Sequence, residues 1–173
     1  MRLQDGRTVS VRMIRPGDAE RLREFDGALS ETSRRLRYLS WMPPMTAERA
    51  LALATVDGVQ RIALVATVHQ GRRERIVGDC RAFAMPGPGR QAEIAIAVAD
   101  DHRQAGLGRA LLRLLLASAA GAGFDSLVAQ VRYDNDVMMH LLRTLGFQRT
   151  AWDLGVVTYT RTLGGGQRDP DRP

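Results

Sequence analysis

Arg103-Gln104-Ala105-Gly106-Leu107-Gly108-Arg109 is the stretch on which the reading of this chain turns. It stands between an apolar run ending near Val98 and a leucine-rich segment beginning at Leu107. Glycine at two of these positions lets the backbone approach a ligand closely and adopt angles that a side chain would forbid. The free N–H groups of the first helical turn then point outward, and the helix dipole favours an anion there. A pyrophosphate fits that description. Two spaced glycines before a helix also occur as plain turn and packing residues, so the flanks must decide. No Gly-Lys-Ser/Thr follows, which excludes a Walker loop. The preceding strand runs into Asp100-Asp101-His102-Arg103 rather than a glycine, which excludes the dinucleotide fingerprint.

Working outward, 92–98 reads as a strand with Glu93, Ala95 and Ala97 on one face and Ile94, Ile96 and Val98 on the other. Residues 8–14 alternate as a half-buried strand should, and Pro16-Gly17-Asp18 stops that strand. From Ala19, the positions Leu22, Phe25, Leu29 and Leu36 keep helical spacing, interrupted near Ser30. Trp41-Met42-Pro43-Pro44 is a break, and Thr46 can cap a helix over 47–54. The run 62–68 predicts a buried strand, and the polar turn Gln70-Gly71-Arg72-Arg73 leads into an antiparallel partner over 75–83. Downstream, 107–119 carries leucines at 107, 111, 114 and 115, a helical stripe that ends at Gly121 and Gly123. Then 126–131 reads as a strand, 136–145 as a helix, and 147–152 and 156–163 as two short strands. This order predicts a mixed α/β or α+β sheet with helices against it, in one domain over 1–163. The tail 164–173 has no core-forming residues and is expected to be disordered.

The bulk numbers agree with a single domain. The chain has 173 residues, 45% of them apolar, enough for a real core. No apolar run reaches the roughly 18 to 20 residues of a membrane span, and the first residues lack the apolar stretch of a secretory signal. One cysteine, Cys80, allows no internal disulfide and suits a reducing cytoplasm. The net charge is +6 and every basic residue is an arginine; the chain contains no lysine. Such a charge attracts an anionic nucleotide as readily as a nucleic acid. With three tyrosines, four phenylalanines and two tryptophans, a base-stacking platform is poorly supplied, so neither nucleic acid nor membrane is the expected partner. His69, His102 and His140 lie far apart without metal-ligand spacing, and no metal site is expected.

Arg103-Gln104-Ala105-Gly106-Leu107-Gly108 resembles the Gln/Arg-x-x-Gly-x-Gly/Ala signature of the GCN5-related N-acetyltransferase (GNAT) superfamily. Asn135, followed by Leu141-Leu142-Arg143-Thr144-Leu145-Gly146-Phe147, is similar to that family's Asn...Leu...Gly-Phe stretch at the expected spacing. A narrower resemblance, to the Pat-type protein lysine acetyltransferases, lies in Val11-Arg12-Met13-Ile14-Arg15-Pro16-Gly17-Asp18, in Leu29-Ser30-Glu31-Thr32-Ser33, in Arg37-Tyr38 and in Ala92-Glu93-Ile94-Ala95-Ile96-Ala97-Val98. The resemblance implies a mixed, mostly antiparallel sheet of about six to seven strands with flanking helices. It implies acetyl-CoA as co-substrate and a primary amine as acceptor, in Pat-type enzymes a lysine on an acyl-CoA synthetase. Pat-type enzymes often carry a further regulatory or synthetase-like domain, for which this sequence shows no counterpart.

Glu93 is the candidate general base, since the resemblance places that base in the Ala-Glu-x-Ala stretch. A lone carboxylate among alanine and isoleucine is costly to bury unless it is paired or used. Partial burial would favour its uncharged form and suit it to accept a proton from an ammonium; the alternative is a salt bridge with a nearby arginine. The pyrophosphate is expected on the N–H groups of Arg103, Gln104, Ala105, Gly106, Leu107, Gly108 and Arg109. Pantetheine is expected along Ile96, Ala97 and Val98, with the N–H near Val98 facing the oxyanion. Asn135 reads as a helix N-cap that can also bond a pantetheine amide, and Met138 as a residue touching the cofactor. The tyrosine that often serves the superfamily as general acid is replaced by Leu142, so no acid is assigned. Besides a protein lysine, a small amine and an acyl-CoA-sensing module without turnover stay open.

Overall fold

The strand upstream of the glycine loop is the central strand of a seven-stranded sheet. A computed structural model describes residues 1–71 and 73–164. Its strands are β1 (Ser10–Met13), β2 (Arg61–Gln70), β3 (Arg73–Ala84), β4 (Gln91–Val98), β5 (Ser126–Arg132), β6 (Gln148–Asp153) and β7 (Val156–Thr162). Their order is β1-β2-β3-β4-β5-β7-β6. Every neighbouring pair is antiparallel except β4 and β5, which run parallel. The helices are α1 (Ala19–Ala28), α2 (Glu31–Tyr38), α3 (Ala47–Ala54), α4 (Leu107–Gly121) and α5 (Asp136–Thr144). The expected mixed, mostly antiparallel sheet with flanking helices is therefore present. The expectation of a disordered tail concerns residues of which 165–173 lie outside the described ones.

The alternation of side chains along β3 and β4 sends the helices to opposite faces. Gly78 and Cys80 look toward α4. A Cβ on Gly78 would stand 2.8 Å from Leu111 Cδ1, so only glycine lets α4 lie this close. Asp79 and Arg81 look the other way. Arg81 Nη1 donates to Leu53 O of α3 at 2.5 Å, and Asp79 Oδ2 lies 3.6 Å from Arg37 Nη2 of α2. On α4, Leu107, Leu111, Leu112, Leu115, Leu116 and Ala119 are buried, each leucine adding roughly 1.5–3 kcal/mol. The expected stripe needs one correction: Leu114 is 43% exposed, because the buried arc of the helix turns toward Leu112 and Leu116. The long helical pattern from Ala19 breaks where expected. Leu29 is extended, and the Ser30 side chain accepts from the Ser33 N–H to start α2. Strand β1 is shorter than the 8–14 run, although Val9 and Ile14 at its flanks are buried.

Strands β4 and β5 pair only from Gln91/Ser126 to Ile94/Ala129. Beyond that point β4 stays with β3 as far as Val98, while β5 stays with β7 as far as Arg132. The two central strands therefore splay apart, and the sheet opens into a wedge.

Candidate active site

The wedge holds a cavity of about 680 Å³. The free end of β4 forms one wall, β5 and α5 the opposite wall, the N-terminus of α4 one end, and α2 a further side. Glu93, Ile96, Ala97, Val98, Arg103, Gln104, Gly106, Leu107, Gly108, Arg109, Asn135 and Met138, residues singled out in the sequence, all line it. Ala105 does not. It is buried at 3% exposure, and its carbonyl accepts from the Gln4 N–H at 3.1 Å.

Register decides which backbone groups of β4 face the cavity. The Ala99 N–H donates to Val77 O of β3 at 2.9 Å. Alternation along the strand then directs the N–H and C=O of Ala97 and Ala95 to β3, and those of Ile96 and Val98 to the open wedge. Pantetheine was expected along Ile96, Ala97 and Val98 together; only the first and last of these offer it backbone groups. The opposite alternation of side chains puts Glu93, Ala95 and Ala97 on the face of α2. Ile96 and Val98 face α4, where a Cβ on Gly108 would meet Ile96, Val98 and Leu141 at ordinary distances of 3.8–3.9 Å.

At the α4 end the chain doubles back through two left-handed residues, Gln104 at φ +59° and Gly106 at φ +80°. Gly106 is the N-cap and supplies no side-chain hydrogen bond, and no acidic residue stands in the first turn of α4. The first intrahelical bond runs from the Ala110 N–H to Gly106 O at 3.1 Å, which leaves the N–H groups of Leu107, Gly108 and Arg109 ahead of the ladder. The other helices beside the cavity are closed differently. Ser30 caps α2, and Asn135 Oδ1 accepts from the Met138 N–H at 3.2 Å to cap α5, where Asp136 occupies the first turn. The cap on Asn135 is thus real, and the residue also lines the cavity. An uncapped helix start beside arginines is a place for an anion.

Arg103 is fixed by that same corner. Its Nη1 lies 3.2 Å from Asp100 Oδ1, and its Nη2 donates to Ser33 Oγ at 2.6 Å. Burial draws the Asp100 carboxyl upward, but hydrogen bonds from Ser33 and Ser30 and the charge of Arg103 outweigh it and hold the group below its ordinary value. The loop before α4 and helix α2 are thereby tied together.

Glu93 departs from expectation. The alternation was read correctly, yet the side chain is exposed rather than partly buried, because it stands where β4 begins to lose its neighbour and the wedge meets solvent. A proton accepted there can pass to water directly. Tyr38, named in the sequence only as part of a resemblance, also lines the cavity. Its hydroxyl donates to Asp26 Oδ1 at 2.5 Å, and burial together with that carboxylate pushes its pKa up to about 12. Leu142, at the usual acid position, is fully buried. Cys80 is also fully buried, and burial pushes its thiol up. Among the described residues no group of His, Cys, Asp and Glu is arranged to hold a metal ion, and no helix is long and apolar enough to cross a membrane.

Comparison with known proteins follows this geometry. The model of the acetyltransferase (GNAT) family matches residues 29–147. An acetyltransferase of Pseudomonas aeruginosa is 34% identical over 169 residues, spanning 98% of this chain and 81% of that protein. The acetyltransferase Pat of Mycolicibacterium smegmatis is 30% identical over 159 residues, which is 91% of this chain but 46% of that one. The crystal structure of the GNAT domain of S. lividans PAT superposes with a TM-score of 0.86 at 28% identity, covering 94% of this chain and 95% of that one.

Proposed function

Because the chain belongs to the GNAT acetyltransferase family, we propose that it moves the acetyl group of acetyl-CoA to a lysine side chain of a protein, by direct attack within a ternary complex. The observation that carries this reading is the wedge itself. One cavity combines an uncapped helix start, free backbone groups on β4 and a carboxylate on the face opposite α4. Acetyl-CoA fits that set of groups. Gly106 takes the left-handed turn that opens α4, Gly108 leaves its first turn without a side chain beside Ile96, Val98 and Leu141, and the N–H groups of Leu107, Gly108 and Arg109 have no cap to compete with a pyrophosphate. Arg103 and Arg109 add positive charge there. Ile96 and Val98 present backbone donors and acceptors along the open edge, suited to the amides of pantetheine and to the thioester oxygen.

When bound, acetyl-CoA supplies an activated acetyl group, its C–S bond breaking as the new N–C bond forms and its sulfur leaving as a thiolate. Glu93 takes the proton that the acceptor ammonium loses before its amine attacks, directly or through the water that its exposure admits, and the second proton, shed as the amide forms, goes to the leaving thiolate through water. Holding both reactants in one wedge replaces a bimolecular encounter by a positioned one, which supplies much of the acceleration. A direct route is supported by Cys80, the only cysteine of the chain, which is buried on the α4 face and cannot carry the acetyl group. The lysine acceptor, with an acyl-CoA synthetase as the candidate protein, is supported by the likeness to Pat over nearly the whole of this chain.

The test is thiol release from acetyl-CoA against purified candidate proteins, peptides and small amines, with mass spectrometry of the products. Release with protein, and acetyl groups on its lysines, is the expected result. Release with small amines alone would replace the lysine reading, and tight binding without release would remove catalysis. The chain itself contains no lysine, so acetyl-lysine in the mixture belongs to the partner.

A further inference from the structure

The acceptor side of the wedge carries a positive charge that the fold does not neutralise. Helix α2 is held over the split at three points. Ser33 Oγ donates to Asp100 Oδ1 at 2.6 Å, Arg35 Nη2 lies 3.1 Å from Asp134 Oδ2, and Arg37 Nη2 lies 3.6 Å from Asp79 Oδ2. The last contact is too long for a hydrogen bond. Apart from it and the face of the Tyr38 ring at 5.4 Å, Arg37 makes no polar contact among the described residues, although its side chain is only 14% exposed. Beneath it, Asp79 Oδ2 already accepts from Arg81 Nε at 2.8 Å. Two guanidinium groups therefore share one carboxylate. Asp79 Oδ1 and Arg81 Nη2 have no hydrogen-bond partner among the described residues, in residues 4% and 1% exposed. Bridging water can bond such atoms, but it leaves the charge.

The rest of the cavity offers no compensation. Glu93 is the only carboxylate among its lining residues, which include Arg37, Arg103 and Arg109. Arg103 is paired with Asp100, and Arg109 stands at the α4 end. Arg37 is on the other side, above the sheet face that carries Glu93, since Asp79 pairs with Ala97 and Ala97 shares that face. Arg37 is half-buried and faces the cavity, and it shares one carboxylate with the Arg81 guanidinium beneath it, so an anion entering the wedge meets an excess of positive charge there.

We propose that Arg37 binds a carboxylate carried by the acceptor, so that the acetylated lysine lies beside an acidic residue. This rests on the protein-lysine reading above. Along β4, Ala97 lies about 13 Å from Glu93, four residues at about 3.3 Å each. That span suits an amine and a carboxylate on separate arms of the acceptor better than the two groups of one α-amino acid, which share a carbon. The free carboxylate of an amino acid is nevertheless the same chemistry, and the experiment separates the two sources.

Two peptides differing only in Glu or Gln beside the acceptor lysine are compared with free glutamate and free lysine, in the native protein and in Arg37→Gln. The Glu peptide is expected to exceed the Gln peptide roughly 10- to 100-fold in kcat/KM, as a charged hydrogen bond allows. In Arg37→Gln the ratio is expected to fall to near one, with the KM for acetyl-CoA unmoved. Equal turnover of the two peptides by the native protein overturns the Arg37 assignment and leaves the lysine reading standing. A ratio that survives in Arg37→Gln also overturns it. Turnover of free amino acids alone, lost in Arg37→Gln, keeps the carboxylate site and removes the protein acceptor. Should Arg37→Gln fail to fold, glutarate decides with the native protein: inhibition competitive with the peptide and not with acetyl-CoA supports the site, and absence of inhibition overturns it.

Discussion

Asp18 and Asp79 are carboxylates buried to 2% and 4% exposure, each among arginines, and their surroundings differ. Asp18 takes two hydrogen bonds from Arg12, at 2.6 and 2.8 Å, one from Arg21 at 2.9 Å and one from the Arg15 N–H at 2.9 Å. Asp79 takes one hydrogen bond from Arg81, stands apart from Arg37 and keeps an oxygen without a partner. The first cluster pins the chain between β1 and α1, away from the wedge. The second lies beneath the wedge. The helix starts repeat the contrast, with α5 closed by Asn135 and α4 left open at Gly106. At Asp18 the chain itself completes the carboxylate; at Asp79 and at the start of α4 it does not, and both of these lie at the wedge.

The sharpest way to break this contrast is Asp18→Ala, which removes four hydrogen bonds and leaves Arg12 and Arg21 with Glu74 as their one remaining carboxylate among the described residues. A loss of about 3–5 kcal/mol in denaturant unfolding is expected, with the KM for acetyl-CoA unchanged. Asp18 also sets a pH signature. Arg12 holds its carboxyl below the ordinary value, so the unfolded chain binds this proton more readily. The stabilisation is complete above about pH 4 and is lost as the pH falls through the folded-state value; Asp18→Asn should remove that acid-side loss. On the open side, Glu93→Gln should lower kcat by about 100-fold while acetyl-CoA binding, followed by calorimetry, stays as it was. Turnover equal to that of the native protein near neutral pH would take Glu93 out of the mechanism. Gly108→Asp places a carboxylate at the uncapped start of α4. It should raise the KM for acetyl-CoA more than about tenfold while leaving the melting temperature nearly unchanged, because an acidic residue suits a helix N-terminus as well as it repels a pyrophosphate. The smallest effect belongs to the closed helix. Asn135→Ala should cost about 1 kcal/mol, a fall of about 2–4 °C in Tm.

Much of the fold was readable because its signals are local. The alternation in β4, the glycines before α4, the break near Ser30 and the caps at Thr46 and Asn135 depend on residues within a few positions of one another, and all stand where the pattern placed them. The uncapped start of α4 is legible for the same reason. What escaped depends on distant neighbours. Alternation placed Glu93, Ala95 and Ala97 on one face, but only the end of the β4–β5 ladder decides that Glu93 is exposed. Helical spacing found a leucine stripe on α4, but the surface it meets decides that Leu112 faces inward and Leu114 outward. Arg37 meets Asp79, and Tyr38 meets Asp26, across loops and layers for which the sequence carries no spacing rule. Backbone binding sites are written in short motifs. Acceptor sites assembled from helices α1 to α3 and the sheet are not.

Cys80, fully enclosed between β3 and α4, gives the protein a clock of its own. A thiol that is buried and raised in pKa reacts with a soluble disulfide reagent only when the sheet opens around it. The rate at which the native protein is labelled therefore measures the frequency of that opening, one strand away from the edge where the wedge begins. Cys80 lies opposite Ile96 across the β3–β4 ladder, so a ligand seated along β4 should slow the clock, and one held only by α2 should leave it running.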